Sequence, residues 1–360
     1  MTATPQTPTG PEPTRGPATT ATAGSAPATD PTAPAMTTAM TTAMTTGQAA
    51  ELARDVLASV SRAVVGNTAE LELVLAGILA GGHVLLEDYP GLGKTLAARS
   101  FAQALGLDFS RAQFTPDLLP SDLTGSFLYD QRRAEFAFRR GPVFTGLLLA
   151  DEINRTPPKT QAALLEAMQE HQVTLEGTTF PLPRPFHVIA TANPVEHEGT
   201  YQLPEAQLDR FLMRLSFGYP APEDEWDVVA RRVARRTEDQ TVPAVTDAAG
   251  LLAAQGAVEA VDVDASVGRY AVALAAATRE HAAAEMGASP RGSLALVTVA
   301  RALAVIRGRD YLTPEDAKHV AVPVLAHRIS IKPELWMTAV TGADVVRQAL
   351  ETVPVPGARE

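Results

Sequence analysis

His83-Val84-Leu85-Leu86-Glu87-Asp88-Tyr89-Pro90-Gly91-Leu92-Gly93-Lys94-Thr95 is the stretch on which the fold turns. A short apolar run ends in a turn rich in glycine and proline, and Gly93-Lys94-Thr95 opens an alanine-rich segment suited to a helix. Strand, glycine loop, helix is the order that a phosphate-binding loop needs. Successive backbone N–H groups, backed by the positive end of the helix dipole, make an anion cradle there. On this reading Asp88, Pro90, Gly91, Leu92, Gly93, Lys94, Thr95 and Leu96 surround the phosphates. Lys94 reaches the β- and γ-phosphates, and Thr95 sets its hydroxyl on Mg²⁺. The usual pattern, G-x-x-x-x-G-K-[ST], has glycine where this chain has Asp88. Aspartate tolerates a left-handed backbone better than most residues, which is the expected reason for its acceptance.

Length and composition bound the rest. The 360 residues allow two to three domains and a sizeable core. Apolar residues make up 46% of the chain, and no run approaches the roughly 20 apolar residues of an integral membrane segment. The N-terminus lacks the charged-then-apolar order of a secretion signal. Cysteine is absent, which excludes disulfides, thiolate metal sites and cysteine nucleophiles and fits a cytoplasmic protein. A net charge of −11 argues against broad nucleic-acid binding, while leaving room for a local basic stripe. Residues 1–47 are almost entirely Thr, Ala, Pro and Gly, with Glu12, Arg15 and Asp30 the only charges, and read as a disordered tail. Ala-Met-Thr-Thr repeats three times at its end. Its threonine content favours a solvated tail over a methionine docking stripe, and Met36, Met40 or Met44 is an alternative start.

From Gln48 the pattern is helical, with Leu52, Val56, Val60 and Val64 on one face. Asn67-Thr68-Ala69-Glu70 then reads as a capping box for a second helix. The link between them, Val64-Val65-Gly66-Asn67, is either a simple turn, which its spacing favours, or the wall of an adenine pocket. Two hairpins are expected, one joining 126–129 to 135–138 and one turning at Glu176-Gly177. Leu147-Leu148-Leu149-Ala150-Asp151-Glu152 is a fully apolar run ending in two acids, the pattern of a buried parallel strand that delivers carboxylates to one sheet edge. Beside a phosphate loop, Asp151 would hold Mg²⁺ through water, and Glu152 would orient and deprotonate an attacking water. Thr156 is the expected N-cap of the next helix, which starts with Pro157 and Pro158.

A further strand, 186–190, leads to Asn193, an amide placed either to bond the attacking water or γ-phosphate or simply to form a turn before Pro194. Arg210 follows a short helix, where it either pairs with Asp209 or projects toward a phosphate held by a neighbouring subunit. A strand at 214–217 closes the sheet, and Pro220-Ala221-Pro222 marks a boundary. Beyond it the helical pattern covers 223–236, 265–280, 291–307 and 314–326. Arg291 opens the most apolar of these helices, at the end where the dipole disfavours a cation, which hints at an anionic partner such as nucleotide phosphate.

With these residues in place the chain resembles AAA+ ATPases of the MoxR family, from about Gln48 to the C-terminal region. The resemblance is carried by the 87–95 loop; Gln113-Phe114-Thr115-Pro116-Asp117-Leu118-Leu119-Pro120-Ser121-Asp122; Leu149-Ala150-Asp151-Glu152-Ile153-Asn154-Arg155; Ala190-Thr191-Ala192-Asn193-Pro194; Leu203-Pro204-Glu205-Ala206-Gln207-Leu208-Asp209-Arg210-Phe211; and Ser289-Pro290-Arg291. It implies an α/β fold: a P-loop AAA+ parallel sheet flanked by helices over 48–219, a smaller all-α lid over 220–350 and a short tail at 351–360. It implies ATP and Mg²⁺ as ligands, Walker A roles for Lys94 and Thr95, and Walker B roles for Asp151 and Glu152. Asn193 becomes sensor 1, Arg210 the arginine finger and Arg291 sensor 2, with Arg155 a further interface candidate.

Residues 127–138 resemble the family's helix-2 insert and 173–180 its pre-sensor-1 hairpin; the family often departs from glycine at the Asp88 position. The implied assembly is a homo-oligomer, a hexameric ring, acting on protein clients with von Willebrand factor A-type partners in maturation or metal insertion. Two other classes stay open: a nucleotide-dependent binding switch with little turnover, and a nucleic-acid translocase resting on Arg132-Arg133 and Arg139-Arg140.

Overall fold

The computed structural model describes residues 43–194, 201, 203–237 and 240–357. In chain order they form α1 (Thr46–Val60), α2 (Thr68–Leu79), β1 (Val84–Glu87), α3 (Lys94–Ala104), β2 (Phe109–Gln113), α4 (Pro120–Thr124), β3 (Gly125–Asp130), β4 (Glu135–Arg140), β5 (Leu147–Asp151), α5 (Pro158–Glu170), β6 (Gln172–Leu175), β7 (Thr178–Pro181), β8 (His187–Ala192), α6 (Glu205–Leu208) and β9 (Met213–Leu215). Then come α7 (Pro222–Arg235), α8 (Ala248–Glu259), α9 (Ala265–Glu280), β10 (Ala284–Met286), α10 (Pro290–Ile306), α11 (Pro314–Leu325), β11 (Ser330–Ile331) and α12 (Gly342–Thr352).

Five strands pair in parallel in the order β2-β5-β8-β1-β9. Every residue of β5 and β8 is buried, as a parallel sheet covered on both faces requires. Alternation along the strands divides the core in two. Val84, Leu86, Leu147, Leu149 and Ile189 face a layer that includes α1, α2, α3 and the C-terminal helices, while Leu85, Leu148, Ala150, Val188 and Ala190 face α5. This is the α/β arrangement expected from the sequence, a P-loop sheet flanked by helices and followed by a helical region.

Several local expectations are corrected. The tail is expected to run to residue 47, but helix α1 starts at Thr46 and is capped by Thr45, whose hydroxyl accepts from the Gln48 backbone N–H (3.2 Å). Met44, from the last repeat unit, packs against the core; the rest of the expected disordered stretch, 1–42, lies outside the described residues. No capping box opens α2: Asn67 is left-handed (φ +53°), and its side chain makes no cap bond, since capping requires an extended residue there. Thr156 does not cap α5 but is buried and donates to the Thr115 carbonyl (3.1 Å), leaving Pro157 at the cap.

The all-α expectation beyond residue 220 also needs correcting, because β10 and β11 form an antiparallel ribbon there. Two helices in that region, α8 and α12, were not expected. The first is alanine-rich and apolar nearly all round, so it has little periodicity to read.

Both hairpins form, as two-stranded antiparallel ribbons outside the main sheet. Their roots are joined by aromatic rings: Phe138 stacks on Phe180 at 4.2 Å between centroids, with Phe127 at 5.6 Å and 6.2 Å from those two.

At the N-terminal edge of the sheet two buried histidines are locked in the neutral form. His83 Nδ1 accepts the Val188 N–H (2.9 Å), leaving Nε2 to donate to the Met168 carbonyl (3.2 Å). His187 Nδ1 donates to the Gly82 carbonyl (3.0 Å), and its Nε2 faces Gln255 (3.1 Å). Burial, helped by His187, pushes His83 down to about 3, and burial likewise takes His187 to about 4, from an ordinary value of 6.5. The unfolded chain therefore binds these protons first as pH falls, so stability is intact above about pH 6.5 and is lost through the window down to about pH 4 for His187 and about pH 3 for His83. At about pH 5 each histidine is expected to cost about 2 kcal/mol of folding stability. Urea unfolding midpoints at about pH 7.5 and pH 5 check this; a midpoint unchanged between them would contradict the neutral-histidine assignment.

Candidate active site

The phosphate loop leaves β1 and enters α3 through two left-handed glycines, Gly91 (φ +85°) and Gly93 (φ +79°), a backbone that other residues adopt only with strain. The first backbone N–H groups of α3, from Lys94 onward, have no helical partners of their own. Lys94 is buried and folded back, its Nζ donating to the carbonyls of Asp88 (2.5 Å) and Tyr89 (3.0 Å). Burial lowers its pKa, and the carboxylates of Asp88, Asp151 and Glu152 oppose that.

Asp88 has a different reason to be there than the expected left-handed backbone. Its φ is not positive, and its buried carboxylate accepts from Ser216 Oγ (2.8 Å), from the Phe217 N–H and from the Gly218 N–H (3.4 Å). It therefore fastens the loop to the chain leaving β9. Toward the cradle Asp88 presents its carbonyl to Lys94, not its charge.

The two acids stand across from β8. Asp151 Oδ1 accepts from Thr191 Oγ1 (2.7 Å), and Oδ2 accepts from Arg111 Nε (3.0 Å) and its terminal nitrogen (2.6 Å). The same Thr191 hydroxyl accepts the Glu152 backbone N–H (2.8 Å). Glu152 is left-handed (φ +59°), a costly conformation for a non-glycine residue, of the kind that tends to mark functional sites. Its carboxylate receives Gln113 Nε2 (2.7 Å) and pairs with Arg155 (3.2 Å). Asn193 lies directly past β8; its backbone is held by Asn154, whose amide donates to the Asn193 carbonyl (3.0 Å) and whose oxygen accepts its N–H (3.4 Å).

Lys94, Thr95, Asp151, Glu152 and Asn193 line one cavity of about 350 Å³, together with Pro90, Gly91, Gly93 and Leu96. A second, of about 540 Å³, shares Pro90, Gly91, Gly93 and Leu96 with it. This second cavity is walled by Val64, Val65 and Asn67 on one side and by Tyr219, Val228 and Val229 on the other, with Leu92 between. The link between α1 and α2 is thus a turn and a pocket wall at once. Gly66 backs that wall from outside the lining, its Cα facing Asp224 of α7.

Arg210 and Arg291 lie elsewhere. Both line a cavity of about 300 Å³ with Gly82, Asp209, Leu212 and Arg328. Gly82 precedes β1 whereas the phosphate loop follows it, so the two arginines sit at the opposite edge of the sheet, across the roughly 13 Å length of that strand. Asp209 does not pair with Arg210. It holds Arg328 (2.7 Å) and Arg291 (3.5 Å), and the Arg210 side chain has no hydrogen bond or ion pair among the described residues.

The cradle suits a polyphosphate: first-turn amides without helical partners, a lysine lining the cavity and an adjoining apolar pocket of nucleoside size. No cluster of three or more metal-ligating His, Cys, Asp or Glu occurs among the described residues. One carboxylate beside one threonine hydroxyl instead suits Mg²⁺, which keeps most of its shell as water and phosphate oxygen. Thr191, Gln113 and Asn154 lie within motifs read from the sequence, and Arg111 lies on β2. Their roles were missed because each bonds a residue about 40 positions away. No helix among the described residues is long and apolar enough to cross a membrane.

Residues 83–213 match the ATPase family associated with various cellular activities (AAA), and residues 276–349 match the AAA lid domain. Over 82% of the chain and 80% of its own length, the relative described as Chaperone MoxR1, from Mycobacterium tuberculosis, is 44% identical. Protein MoxR of Paracoccus denitrificans is 34% identical over 85% of the chain and 96% of its own length. Protein YeaC of Bacillus subtilis, described without a function, is 46% identical over 82% and 92%. A solved structure of a candidate ATPase from Cytophaga hutchinsonii superposes with a TM-score of 0.81 at 41% identity, covering 87% of the chain and 97% of that structure. The chain belongs to the MoxR family of AAA+ ATPases.

Proposed function

We propose that the protein hydrolyses ATP, with Mg²⁺, in an oligomeric ring that remodels or activates client proteins. The observation that carries this reading is the division of the site between two sheet edges. Lys94, Asp151, Glu152 and Asn193 line one cavity, and Arg210 and Arg291 line another across the sheet. With Arg210, the expected arginine finger, at that far edge, the reading is that a neighbouring copy supplies it to the phosphates held by this chain. ATP would lie with its base between Val65 and α7 and its phosphates on Gly91 to Thr95. Thr95 and Asp151 would hold the Mg²⁺, which when bound draws charge from the phosphate oxygens. Lys94 would neutralise the β- and γ-phosphates, and Asn193 would orient the attacking water. Glu152, once released from Gln113 and Arg155, would take that water's proton.

The relative described as a chaperone supports a protein client. The further reading, a hexamer serving von Willebrand factor A-type partners in maturation or metal insertion in the cytoplasm, rests on the family resemblance. A switch with little turnover is the second reading, favoured by the engagement of Glu152 in the present arrangement. The translocase reading has less support, since Arg133 is shared with Asp130 (4.0 Å) and Glu135 (3.8 Å) on its own hairpin.

Steady-state assays decide between these. Glu152→Gln is expected to keep ATP binding and lose about 10²–10⁴-fold in kcat, the range for a general base. Equal turnover in wild type and variant would remove Glu152 from the chemistry, and negligible turnover in both would favour the switch. Arg210→Ala is expected to lose about 10³-fold or more, with activity partly restored when it is mixed with Glu152→Gln protein, because each then supplies the half that the other lacks. An Arg210→Ala protein as fast as wild type would exclude the shared site.

A further inference from the structure

We propose that Arg328 is a positioning residue for this reaction, holding the segment that presents Arg210 and tying that segment to the C-terminal helices. The inference rests on the assignment of Arg210 as the arginine that a neighbouring nucleotide meets. Arg328 lies in the turn between α11 and β11, 119 residues from Asp209 in sequence, and belongs to none of the motifs read from the chain. Its side chain is 3% exposed, so it reaches no partner molecule itself.

What Arg328 touches is the backbone around Arg210. Its Nε donates to Asp209 Oδ1 (2.7 Å). One terminal nitrogen donates to the Phe211 carbonyl (2.8 Å) and more weakly to that of Asp209 (3.5 Å). The other donates to the Leu212 carbonyl (3.3 Å) and to the Val324 carbonyl at the end of α11. Carbonyls on both sides of Arg210 are thus held by one planar fork, a geometry that lysine's single ammonium does not reproduce. Phe211, fully buried in the α5-side core, pins the segment from beneath.

Asp209 makes the arrangement a junction. One carboxylate oxygen takes Arg328, and the other faces Arg291 (3.5 Å), whose side chain is 55% exposed at the start of α10. Helices α10 and α11 share one core, so Arg291, Arg328 and, through Asp209, Arg210 ride on one packed unit. A buried ion pair adds little net stability compared with apolar residues of the same volume, so stability alone does not account for a charged fork here.

The test uses full-length wild type and the variants Arg328→Gln, Arg328→Lys, Asp209→Asn, Arg210→Ala and Arg210→Ala/Arg328→Gln, each measured for kcat and for binding of a fluorescent ATP analogue. Arg328→Gln and Asp209→Asn are expected to lose about 10–100-fold in kcat, as misplacement of a reacting group does, with the nucleotide dissociation constant unchanged. Arg328→Lys is expected not to rescue. The double variant is expected to be no slower than Arg210→Ala alone, since residues acting through one another are non-additive.

Losses that multiply in the double variant, or a kcat kept by Arg328→Gln while Arg210→Ala is inactive, overturn the positioning role and leave the Arg210 assignment standing. An Arg210→Ala protein as fast as wild type overturns the assignment, and the proposal with it. If Arg328→Gln does not fold, judged by thermal unfolding, Asp209→Asn and Arg328→Lys carry the same readout.

Discussion

The register of β5 against β8 is the constraint on which the site depends. Leu147, Leu148, Leu149 and Ala150 stand opposite His187, Val188, Ile189 and Ala190, which places Asp151 opposite Thr191 and Asn193 just beyond both. One hydroxyl then serves two neighbours, donating to the Asp151 carboxylate and accepting the Glu152 amide. A slip of one residue would turn every buried side chain of either strand to the wrong face, so the two apolar cores that demand this pairing also align the acids. Packing and chemistry are one specification here.

Electrostatics repeats the theme at both sheet edges, where the buried carboxylates and Arg328 are all hydrogen-bonded among the described residues. Asp88 is held by a hydroxyl and two amides, Asp151 by Arg111 and Thr191, and Arg328 by Asp209 and four carbonyls. Buried charges left without such partners would cost several kcal/mol each. The exceptions are informative: Lys94 bonds only carbonyls, and Arg210 bonds nothing through its side chain among the described residues. Neither side chain makes a direct ion pair among the described residues, and the two lie at opposite ends of β1.

The phosphate loop and the acid-terminated strand were legible in the sequence because their chemistry restricts residue type at fixed spacing. Gly91 and Gly93 need left-handed backbone, and a run such as Leu147 to Ala150 has few fates other than a covered strand. The Asp88 departure was legible as a departure, but not its cause, because the amides it binds are about 130 positions away. Arg328 was invisible for the same reason: nothing near it in sequence hints at Asp209. Asn67 and Thr156 mislead at closer range, because a residue type that favours caps need not cap. The first is left-handed, and the second is drawn into the core by Thr115. The α8 helix escaped notice because alanine on every side leaves no stripe to detect.

The stacked rings between the two hairpins have a mechanical consequence. Phe138 and Phe180 come from ribbons separated by strand β5 and helix α5, and aromatic pairs of this kind add about 0.5–1.5 kcal/mol beyond simple burial. With Phe127 and Phe144 wedged alongside, a pull on the exposed tip of one ribbon, where Tyr129 and Phe136 meet edge to face, loads the other as well. Ribbons joined in this way are expected to move together, with β6 resting against α5, the helix that begins three residues after Arg155.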